Sequence, residues 1–201
     1  MFMSKNRFEK ASDEELMQHI QKRDVTAFNE LYRRYSQRLL HYFYRMLAGN
    51  EDKARDFLQD TFTKLIEKRW FFDTNKRFST WIFTMAHNLC KNEYRRLEVR
   101  NRTGNKAESN RIFNESESFW HQTDQHIDQS KFRNALAMEL EKLNPQQRSV
   151  FVLRFQQGLS IKEISEILSC PEGTIKSRLF YTTAKLASRL QSFNPNNNEV
   201  G

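Results

Sequence analysis

The 201-residue chain has only five Gly and three Pro, too few for the many turns of a sandwich or barrel. Cysteine is nearly absent. Cys90 and Cys170 have no second Cys or His at zinc-finger spacing beside them, which argues against a structural metal, and both read as ordinary buried thiols. No run approaches the ~18 apolar residues of a spanning helix, and the start MFMSKNRFEK lacks the apolar core of a signal peptide. Membrane insertion is not expected, and a cytoplasmic location is. The five His are scattered, with His121 and His126 in a polar segment, and no nucleophile, base and orienting partner assemble from local sequence. No enzyme, metal or cofactor is expected.

Leu, Glu, Lys, Arg and Gln, by contrast, abound in long stretches without breakers, so the fold class is all-α. A net charge of +8 implies long-range attraction to a polyanion, most simply nucleic acid, with a membrane surface as the rival. Two helical blocks, 12–100 and 132–191, flank a connector at 101–131 rich in Asn, Ser, Thr, Gln and Glu. Residues 1–100 carry 20 basic and 14 acidic side chains, 101–130 carry 3 and 5, and 131–201 carry 10 and 6. Both blocks are therefore basic and the connector is not, as expected of a flexible linker between two domains.

In the first block, Ser12 and Glu15 form a capping box that opens a short helix to about Lys22. Asp24 caps a longer helix carrying Phe28, Leu31, Tyr32, Tyr35, Leu39, Tyr42, Phe43 and Met46, which Gly49 and Asn50 end. A third runs from about Glu51 to Lys68 with Ala54, Phe57, Leu58, Phe62 and Leu65 as its apolar stripe. Asp56, Gln59, Asp60 and Thr63 lie on another face. Two carboxylates there suggest acid–base chemistry, yet an open face without a third catalytic group suits a protein-binding or solvated surface better.

After the aromatic and basic loop WFFDTNKRF, a fourth helix spans about Ser79 to Arg100. Trp81, Ile82, Met85, Ala86, Leu89 and Cys90 repeat as a core stripe; Thr84, His87, Asn88, Lys91 and Arg95 line the other side. That side reads either as a solvated face or, with Asn75, Lys76, Arg77 and Phe78 of the loop, as a surface for unstacked bases. Amides bond base edges, aromatics stack and cations hold phosphate.

The second block has three start signals: Asn144 with Pro145 and Gln147, Ser160 with Glu163, and Pro171. LSIKEISEILSCPEGTIKSRL is then helix, tight turn, helix. Ile161, Ile164, Ile167 and Leu168 pack the first helix, and Ile175 and Leu179 pack the second against it. In a helix-turn-helix the second helix enters the major groove, which would turn Glu172, Thr174, Lys176, Ser177, Arg178 and Phe180 towards DNA.

These stretches resemble a known family. ARDFLQDTFTKLI is similar to the polymerase-clamp-binding helix of extracytoplasmic-function sigma factors, and FSTWIFTMAHNLCKNEYRR to their promoter-opening helix. NPQQRSVFVLRFQQGLSIKEISEILSCPEGTIKSRL resembles their carboxy-terminal domain, which binds the upstream promoter element. The likeness covers about 25–100 and 134–191 in the family's order. It implies a region 2-type helical bundle and a region 4-type helix-turn-helix domain. The implied partners are promoter DNA and core RNA polymerase, through the coiled coil of its largest subunit and its flap region. An anti-sigma factor or another recruiting protein would be a further one.

By resemblance, Asp56, Gln59, Asp60 and Phe62 dock on that coiled coil. Asn88 and the loop through Phe78 and Thr80 capture a flipped non-template base, and Lys176, Ser177, Arg178 and Phe180 read the upstream element. The chain departs from the family after Phe180: Tyr181, Thr182 and Thr183 stand where two or more arginines are usual. Fewer phosphate contacts imply weaker, less salt-dependent upstream binding, which is the reason to expect another factor that helps to recruit the chain. The rival readings are a free-standing helix-turn-helix regulator and a helical nuclease.

Overall fold

The first three α-helices each begin at a side chain that accepts from their free backbone N–H groups. The computed structural model describes residues 7–102 and 127–193. Helix α1 (Asp13–Gln21) starts at the full Ser12–Glu15 capping box, and α2 (Val25–Met46) at Asp24, whose carboxylate accepts from Thr26 N and Ala27 N. Asn50 is the N-cap of α3 (Glu51–Lys68) rather than only the end of α2. The α2–α3 turn reverses through Ala48 and Gly49, both at positive φ (53° and 79°), the second being a conformation that glycine adopts without a Cβ penalty. A single 3-10 turn, Arg69–Phe71, then leads through the loop to α4 (Phe78–Arg102).

In the second block, α5 (Ile127–Glu141) precedes α6 (Pro145–Phe151), which Asn144 caps by accepting from Gln147 N. The chain continues as a π-helical turn, Val152–Gln156, before Gly158 (φ +70°) releases it into α7 (Ile161–Leu168). Ser160 and Glu163 complete the second capping box. Ser169 closes α7 in the left-handed region, and α8 (Glu172–Arg189) follows Pro171 as the second helix of the helix-turn-helix. The described residues are helices and turns without a strand, an all-α fold. The expected connector is helical at both margins, since α4 runs to Arg102 and α5 starts at Ile127; 103–126, with His121 and His126, lies outside the described residues.

The first core is aromatic because α2 faces both α4 and α3 with rings. Tyr35 meets Phe78 at 5.0 Å between centroids, Tyr42 meets Phe83 at 5.6 Å, and Phe43 meets Phe57 at 5.6 Å, all edge-on. Leu16, Met17 and Ile20 seal it from α1. Glu30, buried on α2, accepts from Arg33 and Arg34, and these bonds hold its carboxyl down at about pH 2 despite burial. Arg34 also reaches Asp13 at 2.8 Å, tying α1 to α2.

The buried set runs on from this core into the second block, because α7 lies against α4. Arg38 of α2 sits over the rings of Tyr35 and Phe83 and donates to the carbonyl oxygen of Gln157 at 3.1 Å. Buried Arg148 donates to the carbonyls of Leu140, Glu141 and Leu143 at the end of α5, and at 3.4 Å to those of Arg45 and Met46 in α2. A charged side chain thus satisfies carbonyls that two helix ends would leave bare.

Candidate nucleic-acid interface

The amphipathic pattern of α3 turns Ala54, Phe62 and Leu65 inward and leaves Asp56, Gln59 and Asp60 exposed together. They border an open depression with Lys53 and, from α4, Glu93 and Arg96. Glu93 is buried between Lys53, which donates to Oε1, and Arg96, at 3.1 Å from Oε2. Burial alone would raise its pKa, but the two cations outweigh burial and lower it, so it stays ionised. Sequence reading missed these three residues. The i, i+3 spacing of Glu93 and Arg96 was a visible signal, whereas the approach of Lys53 from another helix was not.

Phe62 corrects the expected docking set. It is 4% exposed and packs against Phe28 at 5.9 Å and Tyr32 at 4.6 Å, so it supports the α3 face from beneath and cannot itself touch a partner.

On α4, Asn88, Lys91 and Arg95 are exposed at positions that share one side of the helix. Asn75 and Lys76 are exposed in the preceding loop, where Asp73 Oδ1 accepts from both the backbone N and side-chain Nδ2 of Asn75 at 3.0 Å. Thr80 Oγ1 is buried without a hydrogen-bond partner among the described residues, an orphan polar atom beside this loop. Thr84 is half-buried, its hydroxyl donating to the Thr80 carbonyl at 2.7 Å, so it is engaged by its own helix.

Two further expectations are corrected here. Phe78 is fully buried, packed against Tyr35, Phe72 and Trp81, and its backbone N donates to Glu14; it cannot stack on a base. His87 is half-buried against α2, with Nδ1 3.2 Å from the Tyr42 hydroxyl, and burial pushes its pKa down to about 4. It is neutral at physiological pH and faces the core margin rather than the open side. The expected apolar stripe missed Phe83, which is fully buried and meets Tyr42 and Arg38 of α2.

In the helix-turn-helix, Ile164, Ile167, Ile175 and Leu179 form the buried seam between α7 and α8. This leaves Glu172, Lys176, Ser177 and Phe180 exposed on α8, with Thr174 and Arg178 half-buried beside them. Ser177 Oγ donates to the Thr174 carbonyl at 3.1 Å. Tyr181 is exposed next to Phe180, their rings edge-on at 5.4 Å. Thr182, however, is wholly buried, and the Thr183 hydroxyl bonds back to Leu179, so only Tyr181 of the three neutral residues is free to face a phosphate backbone.

The two candidate surfaces are mechanically linked. Glu163 Oε1 accepts from Ser79 Oγ at 3.2 Å and lies 3.6 Å from Arg77 Nη1. Burial opposes the ionised carboxylate, but bonds from Ser160, Ser79 and the nearby Arg77 prevail and lower its pKa. Among the described residues no three of His, Cys, Asp and Glu gather as a metal site would require, and no helix is long and apolar enough to cross a membrane.

Comparison with known proteins accounts for both blocks. Residues 31–100 match the family model described as Sigma-70 region 2, and residues 133–186 match Sigma-70, region 4. The ECF RNA polymerase sigma factor BldN of Streptomyces coelicolor is 31% identical over 181 residues, covering 88% of this chain, which spans only 64% of that longer relative. The ECF RNA polymerase sigma factor EcfG of Rhodopseudomonas palustris is 32% identical over 146 residues, 72% of this chain and 75% of its own. The sigma factor RpoE of Bartonella quintana, solved with the anti-sigma factor NepR, superposes with a TM-score of 0.59 at 25% identity, over 82% of this chain and 96% of that one. With its region 2 and region 4 blocks in order on one chain, the protein belongs to the ECF family of RNA polymerase sigma factors.

Proposed function

We propose that this chain is a dissociable subunit that directs core RNA polymerase to specific promoters and initiates transcription by opening promoter DNA. One observation carries the reading: a single chain holds a region 2 block with an open acidic helix face and a region 4 block with an exposed recognition helix. Asp56, Gln59 and Asp60 are the contact to the coiled coil of the polymerase's largest subunit, with Lys53 and Arg96 at its edge. Charge complementarity there sets orientation and on-rate more than raw affinity.

Promoter opening breaks base pairs but needs no covalent bond to be made or broken. A surface that binds the unstacked strand better than the duplex draws the equilibrium towards the open form. Asn88 offers its amide to a flipped base, while Lys76, Lys91 and Arg95 hold the strand's phosphates. Glu172, Lys176, Ser177, Arg178 and Phe180 read the upstream element in duplex form. On this reading the chain is a binding subunit rather than an enzyme, and it works in the cytoplasm with the polymerase. An anti-sigma factor, the kind of partner held by the Bartonella quintana relative, is the expected regulator.

The test is a pull-down with core polymerase beside a gel shift on duplex promoter DNA without it. The proposal expects firm core binding and poor binding to free duplex. Tight duplex binding without affinity for core would instead identify a free-standing helix-turn-helix regulator.

A further inference from the structure

Trp70 and Phe71 stand on the 3-10 turn that leads out of α3. They are 61% and 82% exposed, and Phe71 is the most exposed large apolar side chain among the described residues. Aromatic area left in water contributes nothing to folding, so such a pair asks for an occupant.

The turn is nonetheless anchored. Gln21 Nε2, at the end of α1, donates to the carbonyls of Arg69 at 2.9 Å and Phe72 at 3.2 Å, the two residues that bracket the pair. Phe72 is buried and packs against Phe78 at 5.8 Å and Trp81 at 5.1 Å. Backbone bonds on one side and ring packing on the other therefore hold two solvated aromatics in place.

Their surroundings identify the occupant by its chemistry. Between positions 68 and 77 the chain carries Lys68, Arg69, Lys76 and Arg77 against one acid, Asp73; Arg77 is also 3.6 Å from Glu163 Oε1, and the Arg69 guanidinium lies 5.1 Å from the Trp70 ring centre. Asn75 follows four residues after Phe71, so the turn is continuous with the loop before α4. Aromatic faces set among cations match a ligand that is flat and apolar on its faces and anionic along its edge, which describes unpaired nucleotides. A duplex buries its base faces and offers only the anionic edge.

We infer that Trp70 and Phe71 form a stacking platform for unpaired bases of the opened strand, extending the surface of Asn88 and the 75–77 loop. The inference rests on the reading of α4 as the strand-opening element. It assigns base contact to two residues that the family motifs did not supply, and it returns to the site the stacking that buried Phe78 cannot provide.

The test uses the full chain bound to core RNA polymerase and two fluorescent probes: a duplex with a central unpaired bubble of randomised sequence, and the fully paired duplex of the same length. Affinity is read as the excess over core alone. Trp70→Ala and Phe71→Ala should each weaken bubble binding about five-fold or more, from the loss of one base stack. Binding of the paired probe should not change, and Trp70→Tyr and Phe71→Tyr should hold bubble affinity near the parent. Unchanged bubble affinity in both alanine variants, with Asn88→Ala weakened, would overturn the platform and leave the strand-opening reading standing. If Asn88→Ala is unchanged as well, that reading falls and takes the platform with it. Loss of affinity for core in the absence of DNA would mark the pair as a protein contact and also overturn the inference.

Discussion

Ser79 and Glu163 are 84 residues apart in sequence, yet the Ser79 hydroxyl donates to Glu163 Oε1 at 3.2 Å. The other oxygen of the same carboxylate accepts from the backbone N of Ser160 at 2.9 Å to cap α7. One side chain thus starts the first helix of the helix-turn-helix and holds that helix against the start of α4.

The two roles separate by mutation. Ser79→Ala removes one hydrogen bond between the blocks, whereas Glu163→Ala removes that bond, the ion pair with Arg77 and half of a capping box. Glu163→Ala should therefore cost about 1 kcal/mol more in urea denaturation. Equal losses would mean that the cap contributes nothing measurable.

Phe78 and Asn88 should behave oppositely. Phe78→Ala deletes a fully buried ring and should cost about 3–5 kcal/mol of stability, a defect that a premelted promoter bubble cannot relieve. Asn88→Ala, at an exposed position, should leave the melting curve within about 0.5 kcal/mol of the parent and slow open-complex formation on duplex promoters, with partial rescue by the bubble. A stable Phe78→Ala variant with a bubble-rescued defect would return that ring to the base pocket.

These two residues also show what sequence could and could not reveal. Caps are local, so Ser12 with Glu15, Asp24 and Ser160 with Glu163 were legible from spacing alone, as was the exposed acidic face of α3. Burial of Phe62 was legible too, since periodicity set it on the apolar stripe of α3 and only the resemblance assigned it to docking; burial of Phe78 and His87 was not. Helical periodicity finds one apolar side, but α4 is covered on a second side by α7 and by Arg38 of α2, partners far away in the chain. Arg148 is a polar residue inside the core for the same reason: the carbonyls that it satisfies come from α5 and α2, and nothing in its own helix announces them.

Acid should loosen the fold through its histidines before its carboxylates. Burial lowers the pKa of both His41 and His87 to about 4, against 6.5 when unfolded. Below 6.5 the unfolded chain takes up protons that the folded chain refuses, so stability is full above about pH 6.5 and falls as pH drops towards 4. His87→Gln should flatten the loss of urea midpoint between about pH 7 and pH 5. An unchanged slope would show that His87 titrates normally in the folded protein.

Tyr181 is exposed on α8, in the stretch after Phe180 for which the resemblance leads one to expect a basic pattern. Tyr181→Arg should tighten binding to an upstream-element duplex and steepen its salt dependence by about 0.9 per added phosphate contact. No change in affinity or slope would place Tyr181 away from the DNA backbone and remove the reason to expect a recruiting partner.

The most direct test is run-off transcription on a genomic fragment library by core RNA polymerase, with and without the chain, using Asp60→Lys as the paired variant. The account predicts discrete transcripts, their start sites preceded by a shared pair of elements, only when the chain is present. It also predicts that Asp60→Lys loses them together with core affinity while melting as the parent does. Transcripts unchanged by the chain, or an Asp60→Lys variant that binds core and initiates normally, would contradict it.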